Sequence, residues 1–297
     1  MSLITSHLDC PTSLSDDQLA AFKEDGYLVF ENALSPEEIA EARQGLSDIV
    51  RSFAFNEEVA EYKPRSSDSS SHSGATFRSK SSECFVQLEP GYDPDPNKLD
   101  ELELAVRKTM SFENEAAIFK SICSSHPRIQ GVVKSLLGLS VELYQSMALV
   151  KPPTGGVEKP WHQDNAYFAI EDMNKVLGTW IALDDATVSN GCMHVLEGGH
   201  LLGPLRHHHT FDCEIVPGRI DPASATPIEL KAGGILIFHG NLPHQTPANS
   251  SPNRRRALQY HYRTSDNSII SKDEYFGIFK ESDGTPASCS AAVPENF

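Results

Sequence analysis

From Gly138 onward the chain consists of short segments separated by glycine, proline and asparagine. These segments have β-branched, aromatic or alternating character, as in VELYQSMALV, VLGTWIALDDAT, GCMHVLE, GGILIFHG and RALQYHYRT. Strands of this length at turn-punctuated intervals are typical of a jelly-roll or barrel in which two sheets pack together. The pattern therefore predicts a mainly β fold with flanking helices, a double-stranded β-helix whose core lies at 140–265.

The N-terminal half carries helix signals instead. Ser15 with Gln18, and Ser35 with Glu38, have the spacing of capping boxes, and Pro36 is suited to the first turn of a helix. A serine-rich run, PRSSDSSSHSG, has too few apolar residues to offset the chain entropy lost on ordering. We expect one domain over 1–297, made of N-terminal helices at 15–53, a mobile loop at about 55–98, a helical segment at 101–137, the β-helix core at 140–265 and a tail at 284–297.

The chain is strongly acidic, with a formal net charge of -16 at pH 7 and a pI near 5.1. Phosphate backbones and anionic membranes attract positive fields, so we expect no nucleic-acid and no membrane partner. The six cysteines have no C-x-x-C spacing, and the first twelve residues lack the features of a signal peptide. We expect a cytoplasmic protein that acts on a small molecule, as a monomer or a weak homo-oligomer.

One segment of the β-rich half combines two metal-binding side chains. In the run P-W-H-Q-D, His162 and Asp164 are two residues apart, so an extended strand points both to the same face. His244 follows a later predicted strand. Two histidines and one carboxylate form a facial set that leaves three octahedral positions open, which is the arrangement of non-haem iron(II) oxygenases.

An H-x-D tripeptide alone is a weak signal, because a buried histidine paired with a carboxylate is also a common structural solution. The signal gains weight from Arg255, which the next predicted strand carries toward the same space. A guanidinium suits bidentate binding of a carboxylate, and a diacid that chelates iron at one end needs such a clamp at its other end. Strand alternation places Arg254 and Arg256 on the opposite face.

These residues, with several longer runs, give the chain a clear resemblance to the phytanoyl-CoA dioxygenase family of Fe(II)- and 2-oxoglutarate-dependent oxygenases, which have the cupin-like fold. The resemblance is carried by D-G-Y-L-V (25–29), L-S-P-E-E (34–38), H-Q-D (162–164), W-I-A-L-D-D-A-T-x-x-N-G-C (180–192), G-G-H (198–200) and the stretch from His244 to Tyr262.

The resemblance implies Fe(II), 2-oxoglutarate and O2 as the cofactors, with His162, Asp164 and His244 as the iron ligands. It further implies that Arg255 and the Thr246 hydroxyl hold the distal carboxylate of 2-oxoglutarate. The other positions that match the co-substrate pocket are Gln145, Met147, Gln163 and Trp180. The family often adds a lysine or arginine from the region that matches least here, and neither Arg78 nor Lys80 is assigned to that role.

The resemblance also implies a hydroxylating enzyme, because related halogenases lack a carboxylate at the position of Asp164. Three alternatives stay open. They are a catalytically silent protein that binds metal and a small acid, a desaturase or cyclase of natural-product biosynthesis with the same iron site, and a zinc-dependent or oxo-acid-independent cupin-like enzyme. A tract of three histidines (207–209) could also bind metal, but adjacent histidines cannot all converge on one ion, and an exposed loop is the favoured interpretation.

Overall fold

A computed structural model of the chain describes residues 8–65, 74–209 and 212–279. Within these ranges the helices are α1 (Asp16–Asp25), α2 (Pro36–Phe53), α3 (Leu99–Leu104), α4 (Ala117–Ser124), α5 (Pro127–Leu137) and α6 (Lys272–Ile278). None of these helices has the combination of length and apolar content that crossing a bilayer requires. The predicted tail at 284–297 lies outside the described residues.

The strands are short and most of them follow Val141. They are β1 (Tyr27–Phe30), β2 (Ala60–Lys63), β3 (Thr76–Ser79), β4 (Phe85–Leu88), β5 (Val106–Met110), β6 (Val141–Lys151), β7 (Lys159–His162), β8 (Val176–Ala182), β9 (Met193–Val195), β10 (His207–His209), β11 (Cys213–Ile215), β12 (Thr226–Ile228), β13 (Ile235–His239), β14 (His244–Thr246) and β15 (Arg255–Thr264).

Two antiparallel sheets form the body of the molecule. The large sheet has nine strands in the order β1-β13-β8-β15-β6-β5-β4-β3-β2, and the small sheet has four in the order β12-β9-β14-β7. A third, two-stranded sheet pairs β10 with β11. The predicted fold class, a double-stranded β-helix with flanking helices, is confirmed.

The capping signals at the N-terminus form the helices that they predict. Ser15 and Ser35 each accept a hydrogen bond from the backbone three residues later, and the Gln18 and Glu38 side chains return one. Gly26 ends α1 with a left-handed φ of 82°. The buried faces of α2, α4 and α5 pack in one apolar cluster with the outer face of the large sheet.

The other face of the large sheet, here called the inner face, packs against the small sheet. Trp180, Leu236 and Phe238 belong to one buried cluster with Met193 of the small sheet. Gly178 is needed here, because a Cβ atom at this position would lie 2.2 Å from the Phe238 ring. The missing side chain thus leaves room for an aromatic ring between the two sheets.

Two predicted segments differ from the structure. The segment 55–98, predicted as a mobile loop, contains β2, β3 and β4, and its residues 66–73 lie outside the described residues. Buried and partly buried side chains alternate along β3 and β4, and pairing at the edge of the large sheet outweighs the polar composition around them.

The segment 101–137, predicted as helical, is interrupted by β5, which joins β4 to β6. Hydrophobic periodicity cannot distinguish a helix from a strand over only five residues. Here β5 is a strand because it pairs with β4 on one side and with β6 on the other. Helix α6 was not predicted. It begins with a capping box formed by Ser271 and Glu274.

Candidate metal centre

His162 and His244 lie opposite each other on neighbouring strands of the small sheet, β7 and β14. The Nδ1 atom of His162 lies 2.8 Å from the Pro160 carbonyl oxygen, and that of His244 lies 2.9 Å from the Leu242 carbonyl oxygen. A carbonyl only accepts, so each ring carries its proton on Nδ1. In the neutral form of each ring, Nε2 is then the nitrogen with the free lone pair that binds a metal.

Asp164 supplies the third donor. It begins a 3₁₀ turn (Asp164–Tyr167) directly after β7, and its Oδ1 lies 3.4 Å from Nε2 of His162 and 3.7 Å from Nε2 of His244. The three donor atoms all lie within 4.8 Å of one another. Donor atoms bound side by side to one ion at about 2.1 Å are about 3 Å apart, so a small contraction would seat an ion.

Burial keeps the imidazole of His244 in the ligand form. The side chain is buried, and this burial, reinforced by the neighbouring His162, lowers the pKa of His244 to about 3. At neutral pH no proton competes with a metal ion for Nε2. The donor set of two neutral imidazoles and one carboxylate fits a divalent ion of the first transition series.

The second oxygen of Asp164 is held by strand β15. Its Oδ2 lies 2.7 Å from Nε2 of His261 and accepts a hydrogen bond of 3.2 Å from Nε2 of Gln259. Sequence analysis missed both residues, although the signal was present. They lie four and six positions after Arg255 on one strand, and residues at even spacing share a face.

Arg255 lies on the inner face of the same strand with 1% of its surface exposed. Its neighbours turn outward as alternation predicts, since Arg254 pairs with Glu103 and Arg256 with Asp184 at 3.3 Å and 2.8 Å. The three consecutive arginines are therefore separated by strand geometry, with only the middle one directed between the sheets.

The Arg255 guanidinium has no acidic partner among the described residues. It donates to the Leu149 carbonyl oxygen at 3.2 Å, and its Nε has no hydrogen-bond partner. Its Cζ atom lies 5.2 Å from the centre of the Trp180 ring, whose Nε1 also has none. Burial lowers the pKa of Arg255 to about 10, which still leaves it charged at neutral pH.

Two lysines, Lys151 and Lys108, lie on strands of the same sheet as Arg255. Lys151 is its cross-strand partner and donates only to carbonyl oxygens, those of Val157 at 2.6 Å and Thr246 at 3.3 Å. Burial and the charge of Arg255 lower the pKa of Lys151 to about 6. These three basic residues, Arg255, Lys151 and the Lys108 described next, are called the anion end, and His162, Asp164 and His244 the metal end.

Lys108 on β5 pairs with Leu149, which packs in the cluster between the sheets, so both lie on the inner face. Its ammonium forms no hydrogen bond or ion pair with any residue in the described ranges. Burial and the nearby Lys159 lower its pKa to about 8. Lys108 was not predicted as a site residue, because strand β5 lies in a segment that was predicted to be helical.

Most residues predicted for the co-substrate pocket share the inner face. Gln145 pairs with His261 on β15, and Met147 pairs with Gln259, whose other neighbour is Trp180. Thr246 lies two residues after His244, and its carbonyl oxygen is bound by Lys151.

Gln163 is a correction, because its side chain is not grouped with these residues. It is fully buried, donates to the carbonyl oxygens of Gly203 and Asn241, and accepts from the backbone of Leu205. Alternation along the H-Q-D run directs it away from its two neighbours, and these backbone bonds occupy its amide.

The histidine tract is a second correction. It forms strand β10, and His207 is buried rather than part of an exposed loop. Its Nε2 accepts a 3.0 Å hydrogen bond from the backbone N–H of Gln163, which lies between the two metal-end residues of the H-Q-D run. Burial lowers the pKa of His207 to about 3, so its ring is a neutral acceptor. His207 thus supports the metal end through the backbone of Gln163.

Sequence comparisons show which known proteins this chain resembles. The family model described as phytanoyl-CoA dioxygenase matches residues 22–257. The chain is 28% identical to phytanoyl-CoA dioxygenase domain-containing protein 1 of Danio rerio, over 90% of this chain and 96% of that protein. It is 30% identical to the Mus musculus protein of the same name, over 84% of this chain and 89% of that protein.

Two solved structures share the fold of this chain. EvdO2 from Micromonospora carbonacea var. aurantiaca, complexed with 2-oxoglutarate, has a TM-score of 0.60 at 22% identity and covers 88% of this chain and 94% of its own. EctD from S. alaskensis with bound Fe has a TM-score of 0.62 at 21% identity and covers 87% and 79%. These likenesses agree with the double-stranded β-helix described above.

Proposed function

The chain belongs to the phytanoyl-CoA dioxygenase family, and from this premise we propose that it is an Fe(II)- and 2-oxoglutarate-dependent dioxygenase. The proposed reaction hydroxylates an unactivated C–H bond of a small molecule and converts 2-oxoglutarate to succinate and CO2. EvdO2, crystallised with 2-oxoglutarate, and EctD, crystallised with Fe, support this choice of co-substrate and metal.

At the metal end, His162, Asp164 and His244 would hold the iron. Their donor atoms lie within 4.8 Å of one another. Three protein ligands of this kind would leave positions on the metal for other ligands. A 2-oxo acid needs two of these and oxygen a third. The neutral imidazoles and the single carboxylate leave the loaded site with one net positive charge, which favours an anionic ligand.

The observation that carries the proposal is the surplus of hydrogen-bond donors at the anion end. Buried donors normally have partners, and leaving one without costs about 1–3 kcal/mol. Nε of Arg255 and Nε1 of Trp180 have none among the described residues. Lys108, which is partly exposed, forms no ion pair within the described ranges. A carboxylate has only acceptor sites and would satisfy all three groups. We assign Lys108 to the additional basic position typical of the family.

The metal and the residues around it would have different roles in the reaction. Bound iron would supply the reduction of O2 that is coupled to decarboxylation of 2-oxoglutarate and to oxidation of the C–H bond. Arg255, Lys108 and the Thr246 hydroxyl would fix the distal carboxylate and so orient the other end of the co-substrate toward the metal. Gln145 and Met147 would line the same face and exclude water.

The test combines binding and turnover. Anaerobic addition of 2-oxoglutarate to the Fe(II)-loaded protein should produce a visible charge-transfer band, and a screen of candidate metabolites should find one that couples succinate release to hydroxylated product. His162→Ala should give neither signal. Tight zinc binding with no spectral change on addition of 2-oxoglutarate would overturn the proposal in favour of a zinc enzyme.

A further inference from the structure

The carboxylate of Asp164 has two oxygens, and only one of them faces the histidines. Oδ1 is the atom within 3.4 Å and 3.7 Å of the two Nε2 atoms, whereas Oδ2 is turned toward β15. A carboxylate can bind a metal through one oxygen or through both. A ligand that binds through both would occupy one of the positions that the co-substrate and oxygen require.

The donors on Oδ2 follow from the chemistry of the three groups. An ionised carboxylate only accepts, so Nε2 of His261, at 2.7 Å, carries a proton and donates it. The amide nitrogen of Gln259 donates to the same oxygen from 3.2 Å. Charge-assisted bonds of this kind are stronger than bonds between neutral groups.

The two donors are mounted on a rigid part of the molecule. Strand β15 is hydrogen-bonded to β6 on one side and β8 on the other. The His261 ring is fully buried, and its centre lies 4.9 Å from that of Phe168 and 6.4 Å from that of Phe238. The ring therefore cannot swing away from Asp164 without disturbing the packing between the sheets.

We propose that His261 and Gln259 are positioning residues that clamp Oδ2 of Asp164 and so make this carboxylate a one-oxygen ligand directed at the metal. The inference rests on the proposed function, because it assumes that the metal binds at the metal end. Strand β15, which begins with Arg255, would then have a second role near its C-terminal end. The same strand would hold the co-substrate and orient the metal ligand.

The experiment compares two substitutions that separate the hydrogen bond from the ring. His261→Phe keeps an aromatic ring in the pocket and removes the donor, whereas His261→Gln keeps an N–H donor and removes the ring. Mn(II) affinity is measured by titration calorimetry, and the melting temperature of the metal-free protein reports on folding. We expect His261→Phe to bind Mn(II) roughly 10- to 100-fold more weakly, as is usual when a partner of a metal ligand is lost.

His261→Gln should recover most of this affinity, and a purely structural role of the ring would give the opposite order. Gln259→Met, of similar volume, should weaken Mn(II) binding by a smaller factor and decides the matter if His261→Phe does not fold. Wild-type Mn(II) affinity in a folded His261→Phe or Gln259→Met protein would overturn the inference. If wild-type protein and His162→Ala bind Mn(II) equally, the proposed function fails instead.

Discussion

The metal end and the anion end of the inner face differ in how completely their polar atoms are paired. At the metal end, both Nδ1 atoms bind carbonyl oxygens, and Oδ2 of Asp164 has two donors. At the anion end, the buried Nε of Arg255 and Nε1 of Trp180 have no partner among the described residues. One end is complete except for an ion, and the other lacks an acidic ligand.

The difference shows that the two ends are prepared for binding in different ways. Ligands held by further hydrogen bonds can meet a metal with little rearrangement. Unpaired buried cations instead destabilise the free protein, and that cost is recovered when an anion arrives. Substitutions at the metal end should therefore change metal affinity, and substitutions at the anion end should change co-substrate affinity alone.

The largest expected effect is at the metal end. His244→Ala removes a donor that no neighbour replaces, so the rise in melting temperature that Mn(II) gives the wild-type protein should disappear. The measurement is thermal unfolding with and without Mn(II). His208→Ala is the matched control, because this partly exposed histidine pairs with Glu214 and should leave the rise unchanged. A normal rise in melting temperature with Mn(II) in His244→Ala would show that the metal end is not where Mn(II) binds.

An intermediate effect is expected at Arg255. Arg255→Met removes the charged hydrogen bonds to the distal carboxylate, worth about 1.5–3 kcal/mol, and should weaken 2-oxoglutarate binding to the Mn(II)-loaded protein roughly 10- to 150-fold. Calorimetry measures this directly, and Mn(II) affinity should not change. Arg254→Met, on the outer face, should bind 2-oxoglutarate normally. Loss of Mn(II) affinity in Arg255→Met would contradict the separation of the two ends.

The smallest effect concerns pH. Burial lowers the pKa of Lys108 to about 8, so its charge is present below that pH and is lost above it. The kcat/KM for 2-oxoglutarate should therefore fall as pH rises through about 8, by roughly fivefold for a bond of about 1 kcal/mol.

Lys108→Arg, which stays charged, should move this fall to higher pH, and Lys108→Met should have a low value with no step near pH 8. An unchanged step near pH 8 in both variants would assign it to another group. Such a result would remove Lys108 from the anion end and leave Arg255 as its main cation.

The metal end could be predicted from sequence because its signals are local. The H-x-D spacing depends only on strand geometry, and His244 follows an apolar run that reads as a strand. Alternation also separated Arg255 from Arg254 and Arg256, and the side chains lie as predicted. Strand alternation also places Gln259 and His261 on the inner face. Their role depends on their contact with Asp164, which lies on another segment, and the sequence of one strand does not reveal that contact.

The anion end was predictable only in part. Lys108 lies on a strand that exists because β4 and β6 pair with it on both sides, and pairing partners are not encoded within five residues. The wrong assignment of Gln163 has a similar cause. Backbone groups from 203, 205 and 241 bind its amide, and only the folded chain brings them there.

The absent side chain at Gly178 links the packing of the sheets to the metal end. The Phe238 ring fills that gap, and its centre lies 4.9 Å from that of His244. A methyl group added at Gly178 would force the Phe238 ring to move, and this ring packs against the imidazole of His244. The glycine at position 178 therefore helps to fix the position of a metal ligand that it does not itself contact.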